Sequence, residues 1–201
     1  MTVFFHYSLY GFANVYLVGN DDNGQAFVVD PAAFTTGLLS FIEGKGYSVT
    51  AALITHNHIH HVAGLKTLLR VYDAEVYSNN AEIDGVPCRL VHDGDRFTAS
   101  GLDVEAISVP GHSADSVVFR VGKILFSGDA IFAGTIGSTM SQYSHGLLRD
   151  QLEQKILSQS DDCLILPGHG PPSSVAAERQ FNLGLRQSKA EALRARYEFF
   201  V

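Results

Sequence analysis

The sequence predicts an α/β fold whose strands run both parallel and antiparallel. Three observations lead there. Short apolar runs bounded by turn residues recur along the chain. Between them lie stretches with apolar residues at helical spacing. Some runs are joined by a few turn residues, as hairpins are, and others by a helical stretch, as parallel strands require.

In chain order, NVYLVGN (14–20) and QAFVVDPA (25–32) read as strands joined by the turn-rich NDDNG. TTGLLSFIEGKGY reads as a helix ending at its glycines. AALIT (51–55) is a fully apolar strand running into a set of histidines, and VAGLKTLLRVY (62–72) has helical spacing. AEVYSN (74–79) is a strand, and LDVEAISVPGH, SVVFRVGKILFSGD and DCLILPGH each supply one or two more. HGLLRDQLEQKIL (145–157) is an amphipathic helix with Leu147, Leu148, Leu152 and Ile156 on one stripe. SKAEALRARYEFFV is a last helix, whose Tyr197, Phe199 and Phe200 are expected to pack on the core. There is no repeat, low-complexity segment or linker, so residues 1–201 are expected to form a single domain.

Hydrophobic residues make up 46% of the chain and charged residues 17%, a composition that opposes disorder. The formal net charge is -7 and no Lys/Arg run occurs, which speaks against a nucleic-acid partner. Cys88 and Cys163 stand in no metal-ligand spacing and are expected to be reduced. MTVFFHYSLYGF lacks the pattern of a signal peptide, and no stretch approaches membrane-spanning length. A cytoplasmic protein with a small-molecule substrate, as monomer or homodimer, is the expectation.

The chemistry gathers where the strands end. AALIT stops at His56, AISVP at Gly111-His112, KILFS at Gly128-Asp129 and LILP at Gly168-His169. Glycine permits sharp turns and close approach, and α/β proteins build sites at strand ends. Imidazole and carboxylate are the usual ligands of catalytic zinc and non-haem iron. The segment THNHIHH adds His58, His60 and His61, and histidines two apart in a turn can aim at one point. His6, His92 and His145 lack such surroundings and read as ordinary surface or hydrogen-bonded residues, with His145 kept as a supporting candidate.

These segments resemble the metallo-β-lactamase-fold superfamily. THNHIHH is similar to its T-H-x-H-x-D-H, VPGHSADS to P-G-H-[ST]-x-G-S, LFSGDAIFAGTIG to the G-D-x-L-F segment and LILPGHGPP to P-G-H-G. FVVDP is similar to an early strand ending in Asp-Pro, which makes Asp30 structural support. The resemblance covers nearly the whole chain and is closest to the short, single-domain glyoxalase II-like branch. It implies a four-layer αββα sandwich with the site at one edge, between the sheets. It implies one or two divalent metals per chain, zinc first and iron or nickel as alternatives. His56, His58 and His112 would hold the first, His61 and His169 the second, with Asp129 bridging. It further implies a bridging hydroxide attacking a carbonyl.

The sequence departs from that pattern in three places. Position 60 is His where the motif has Asp, so His60 is either itself a ligand with a catalytic part, as favoured here, or turned away. The basic residue expected nine positions after Asp129 is Ser138, with Tyr143 nearby, and these two are the candidate substrate contacts. Only 32 residues follow His169, leaving no separate helical domain of the classical glyoxalase II kind. The function expected is metal-dependent hydrolysis of a small ester, thioester or lactone. The alternatives are a mononuclear iron enzyme resembling the persulfide dioxygenases, using His56, His112 and Asp129, and a non-catalytic metal-binding protein.

Overall fold

The computed structural model describes residues 1–186. The expected last helix, with Tyr197, Phe199 and Phe200, falls outside them. The first half builds one sheet from β1 (Thr2–Tyr7), β2 (Asn14–Asn20), β3 (Gln25–Val29), β4 (Ser48–Leu53), β5 (Glu75–Ser78) and, after the small hairpin β6 (Glu82–Ile83) and β7 (Val86–Pro87), β8 (Arg89–Leu90). Its order is β1-β2-β3-β4-β5-β8. Pairing is antiparallel through β3 and parallel from β3 to β8. Helices α1 (Thr36–Gly44), α2 (Ile59–Val62) and α3 (Leu65–Val71) supply the crossovers.

The second half builds another six-stranded sheet from β9 (Arg96–Ala99), β10 (Leu102–Ser108), β11 (Val117–Val121), β12 (Ile124–Gly128) and, after the hairpin β13 (Ile131–Phe132) and β14 (Thr135–Ile136), β15 (Leu164–Pro167) and β16 (Ser173–Ser174). Its order is β16-β15-β12-β11-β10-β9, with β12 and β15 parallel. Helix α4 (Gln142–Gln151) continues through a π-helical turn, Leu152–Ile156, and α5 (Val175–Phe181) and α6 (Leu183–Arg186) follow β16.

Burial on both faces explains why the strands read as continuous apolar runs. All seven residues of β2 are buried. Successive strand side chains point to opposite faces, so Tyr16 and Val18 join the core between the sheets while Val15 and Leu17 meet Leu38 and Ile42 of α1. The inter-sheet core contains Phe27 from the first sheet and Phe119 and Phe126 from the second. Truncating any of them to alanine would cost about 3–5 kcal/mol. On the far side, Val118, Leu125 and Ile165 pack on Leu148, Leu152, Ile156 and Val175. The four layers are therefore helix, sheet, sheet, helix, as expected.

Two helices differ from expectation. The helix expected over 62–72 is broken at Gly64: a Cβ there would lie 2.5 Å from the Phe34 nitrogen and 2.6 Å from the Pro31 carbonyl oxygen. The turn before the break is α2, which begins at Ile59 and takes in His60 and His61. The amphipathic helix begins at Gln142, not 145, because the Ser141 hydroxyl caps it by accepting from the Ser144 N–H. Its π-helical turn changes the stripe, leaving Leu147 only half-buried while Leu148, Leu152 and Ile156 are buried.

The sheets are laced together at one edge. The Val117 N–H donates to the Thr55 carbonyl at 2.9 Å and the Asn14 N–H to the Gly168 carbonyl at 2.7 Å. The Asn14 side chain donates to the carbonyls of Pro167 and Gly170. Those bonds join the end of β4 to the start of β11 and the end of β15 to the start of β2, and the Gly168 N–H donates to the Gly128 carbonyl at the end of β12 at 2.8 Å.

Candidate metal centre

At that edge six expected ligand residues converge in two groups. His56, His58 and His112 form one, and His61, Asp129 and His169 the other, with the ligand atoms of each group within 4.8 Å of one another. The His56 ring centroid lies 4.5 Å from that of His58, 4.3 Å from His61 and 5.0 Å from His112, and the His61 and His169 centroids are 5.2 Å apart. Asp129 stands between the groups. Its Oδ1 is 3.4 Å from His61 Nε2, and its Oδ2 is 3.5 Å from His169 Nε2 and 3.8 Å from His112 Nε2.

Backbone and carboxylate acceptors set the imidazole tautomers. His112 donates from Nδ1 to the Ser138 carbonyl at 2.8 Å, and His169 from Nδ1 to the Phe12 carbonyl at 3.0 Å. His61 Nδ1 meets Asp30 Oδ2 at 3.0 Å. In His112 and His169 this leaves the Nε2 lone pair facing the cluster, and in His61 it leaves Nε2 facing Asp129, the arrangement metal-binding histidines use once that nitrogen is deprotonated. Asp30 is itself buried and fixed, accepting from the Thr55 N–H at 2.8 Å and the Thr55 hydroxyl at 2.7 Å.

A metal ion fits this donor set on the structure's own terms. His56 Nε2, His61 Nε2 and Asp129 Oδ1 are buried without a hydrogen-bond partner, a costly condition that a cation would relieve. The glycine before His169 makes the room: a Cβ at Gly168 would lie 2.5 Å from both Asp129 Oδ1 and His61 Cε1. Burial, reinforced by the neighbouring His61, pushes His56 down to about 2, so it is a neutral imidazole across the physiological range. Burial alone would lower His61 as well. Asp129 and Asp30 outweigh it and hold His61 up to about 10. Burial would raise Asp129, but His61 holds its carboxyl down to about 2.

That asymmetry has a testable sign. A raised His61 is protonated at pH 7.5 in metal-free protein, and a ligand imidazole must be neutral. Metal uptake at pH 7.5 is therefore expected to release about one proton or more per chain. Calorimetric titration in two buffers of different ionisation enthalpy measures the number. Identical heats in both buffers would contradict it.

The structure does not bring His60 into the cluster. Successive helical residues are turned about 100° apart, so α2 buries His61 and turns the neighbouring His60 to the exposed side. The His60 ring lies 6.0 Å from Tyr10, and a Cβ on Gly11 would stand 2.6 Å from its Cβ and Cγ. The favoured expectation of His60 as ligand and catalytic group thus meets a geometry that matches the alternative. Ser138 contributes its carbonyl to His112, with its side chain exposed, and Tyr143 is 80% exposed on the first turn of α4. The sequence reading missed the Phe12 and Ser138 carbonyls and also Asp115, which holds the Asn57 N–H at 2.7 Å and the Asn80 amide at 2.6 Å beside the histidines.

The sequence profile of the metallo-beta-lactamase superfamily matches residues 10–84 and 79–169. The chain belongs to that superfamily. Among curated relatives, a hydroxyacylglutathione hydrolase of Xanthomonas campestris pv. campestris is 31% identical over 191 residues, covering 89% of this chain and 71% of that protein. Among solved structures, ETHE1 from Myxococcus xanthus superposes with TM-score 0.86 at 23% identity, covering 100% of this chain and 92% of that one. A structure described as TTHA1623 in a di-iron-bound form superposes with TM-score 0.77 at 25% identity, covering 90% and 98%. The superfamily assignment and these superpositions agree with the four layers described above. No described helix is long and apolar enough to cross a membrane.

Proposed function

We propose that this chain is a metal-dependent hydrolase of a small ester, thioester or lactone, working with two divalent metal ions. His56, His58 and His112 would hold one ion, His61 and His169 the other, and Asp129 would serve both. The position of Asp129 carries the reading, since its two oxygens face members of both groups within 3.4–3.8 Å. The hydrolase relative and the di-iron neighbour support it. Zinc or iron suits so nitrogen-rich a donor set.

Bound there, divalent metal supplies an acidified water as nucleophile and a Lewis acid at the substrate carbonyl. The chain's own part is orientation. Asp30 fixes the His61 ring, the Phe12 carbonyl fixes His169 and the Ser138 carbonyl fixes His112, so three rings are oriented before any ligand arrives. Preorganisation of this kind removes reorganisation cost from the reaction. A single-iron oxygenase built on His56, His112 and Asp129 would leave His61 and His169, the rest of the second group, without a metal.

The test is a panel of esters, thioesters and lactones with metal-loaded protein against the same metal in buffer. Turnover of at least one member above buffer is expected. No turnover of any member, together with oxygen uptake on a glutathione persulfide by iron-loaded protein, would replace the hydrolase with the oxygenase.

His60 has no metal in this reading. His60→Ala is expected to keep the metal content and to lose no more than about 1 kcal/mol of stability, the scale of one aromatic edge contact. Elemental analysis and denaturant titration check it. Loss of one metal per chain would make His60 a ligand after all.

A further inference from the structure

We propose that the apolar side chains ringing the histidine cluster bind an uncharged, apolar group of the substrate. The inference rests on the hydrolase reading and names the substrate class. Six large apolar residues around the cluster are open to solvent: Leu9 at 80%, Tyr10 at 48%, Phe12 at 63%, Ile59 at 55%, Met140 at 94% and Tyr143 at 80%. Scattered exposed hydrophobics are ordinary, but a contiguous set marks a binding surface.

All six lie on segments that are anchored at the cluster. Leu9, Tyr10 and Phe12 lie on the β1–β2 loop, which is fastened to the cluster by the Phe12 carbonyl on His169, while the Tyr10 ring packs on His60 of the adjoining α2. Ile59 stands between His58 and His60. On the opposite side the Ser138 carbonyl holds His112, and Met140 follows two residues later. Tyr143 is on the first turn of α4, whose Ser144 carbonyl and Leu148 pack so closely on Gly111 that a Cβ there would lie 2.5 Å from Leu148. Three separate segments therefore present apolar side chains around one mouth.

The charge around that mouth decides what it accepts. Residues 8–14, 56–62 and 137–144 contain no Lys, Arg, Asp or Glu. Several cations of the described residues are engaged elsewhere, for example Lys66 with Asp84, Arg89 with Glu75, Arg120 with Glu105 and Lys155 with Asp93. The formal charge of -7 adds long-range repulsion for anions. A glutathione thioester, with its two carboxylates, finds no fixed positive side chain on these three described segments. A neutral ester or thioester with an apolar acyl chain finds a matching surface.

N-acetylcysteamine thioesters from acetyl to octanoyl test this with metal-loaded protein. kcat/KM is expected to rise roughly two- to fourfold per methylene over the first several carbons, and the glutathione thioester of the same acyl group is expected to be the poorer substrate. The uncleavable S-butyl and S-octyl N-acetylcysteamine thioethers separate binding from turnover. Calorimetry is expected to show the octyl compound binding at least tenfold tighter, and Leu9→Ser with Tyr143→Ser is expected to flatten that difference. If no thioester is cleaved while the thioethers still show the difference, the hydrolase reading fails and the apolar surface stands. Equal thioether affinities, or a chain-length slope unchanged by both substitutions, would overturn the inference. So would concentration-dependent dimerisation that buries these residues.

Discussion

Replacing Asp129 by alanine is expected to empty the second metal group, weaken the first and lower kcat/KM by at least about a thousandfold, some 4 kcal/mol of lost transition-state stabilisation. The reason is position. Among the described residues, Asp129 alone has side-chain oxygens within 3.4–3.8 Å of His61, His112 and His169 together. Stability of the metal-free protein should fall by less than activity does, through loss of the buried Asp129–His61 charge pair, with Asp30 still facing His61. Elemental analysis, steady-state kinetics and thermal melting of the metal-free variant separate the two effects. A variant that kept both metals and most of its activity would remove Asp129 from the bridging role.

Asp30→Ala is expected to do the reverse, costing about 3–5 kcal/mol of stability as buried charged hydrogen-bond partners do when lost. The carboxylate is 2% exposed and accepts from the Thr55 N–H, the Thr55 hydroxyl and His61. Each donor would be left buried without an acceptor. The backbone adds to the loss, since Asp30 has φ 49°, a left-handed conformation that Asp and Asn tolerate better than Ala. Asp30→Asn keeps that conformation and isolates the charge. Both variants should also bind metal more weakly at the His61 group, because the carboxylate that orients and polarises the ring is gone. Denaturant unfolding and metal content measure the two parts, and a stability within 1 kcal/mol of the parent would contradict the account.

Much of this was legible in the sequence because it is periodic or local. The strands that end at His56, Asp129 and His169 are apolar runs buried on both faces, and burial leaves a continuous hydrophobic signature. The convergence of six histidine and aspartate side chains was legible because metal chemistry restricts the residue types that make a candidate ligand. His60 was not, since its direction depends on α2 beginning at Ile59, and a shift of one residue on a helix turns a side chain about 100°. The Phe12 and Ser138 carbonyls were not legible either. A backbone acceptor carries no residue-type signal, and Phe12 reaches His169 across 157 positions of chain. The break at Gly64 comes from the packing of Pro31 and Phe34, which helical spacing alone does not show.

The central claim is that two neighbouring groups of ligands share Asp129 without help from His60. Metal content per chain, by elemental analysis of protein purified without chelator or affinity metal, tests it most directly when parent and His60→Ala are measured side by side. The account predicts close to two zinc or iron ions in each. One ion in the parent, or a fall from two to one on removing His60, would contradict it.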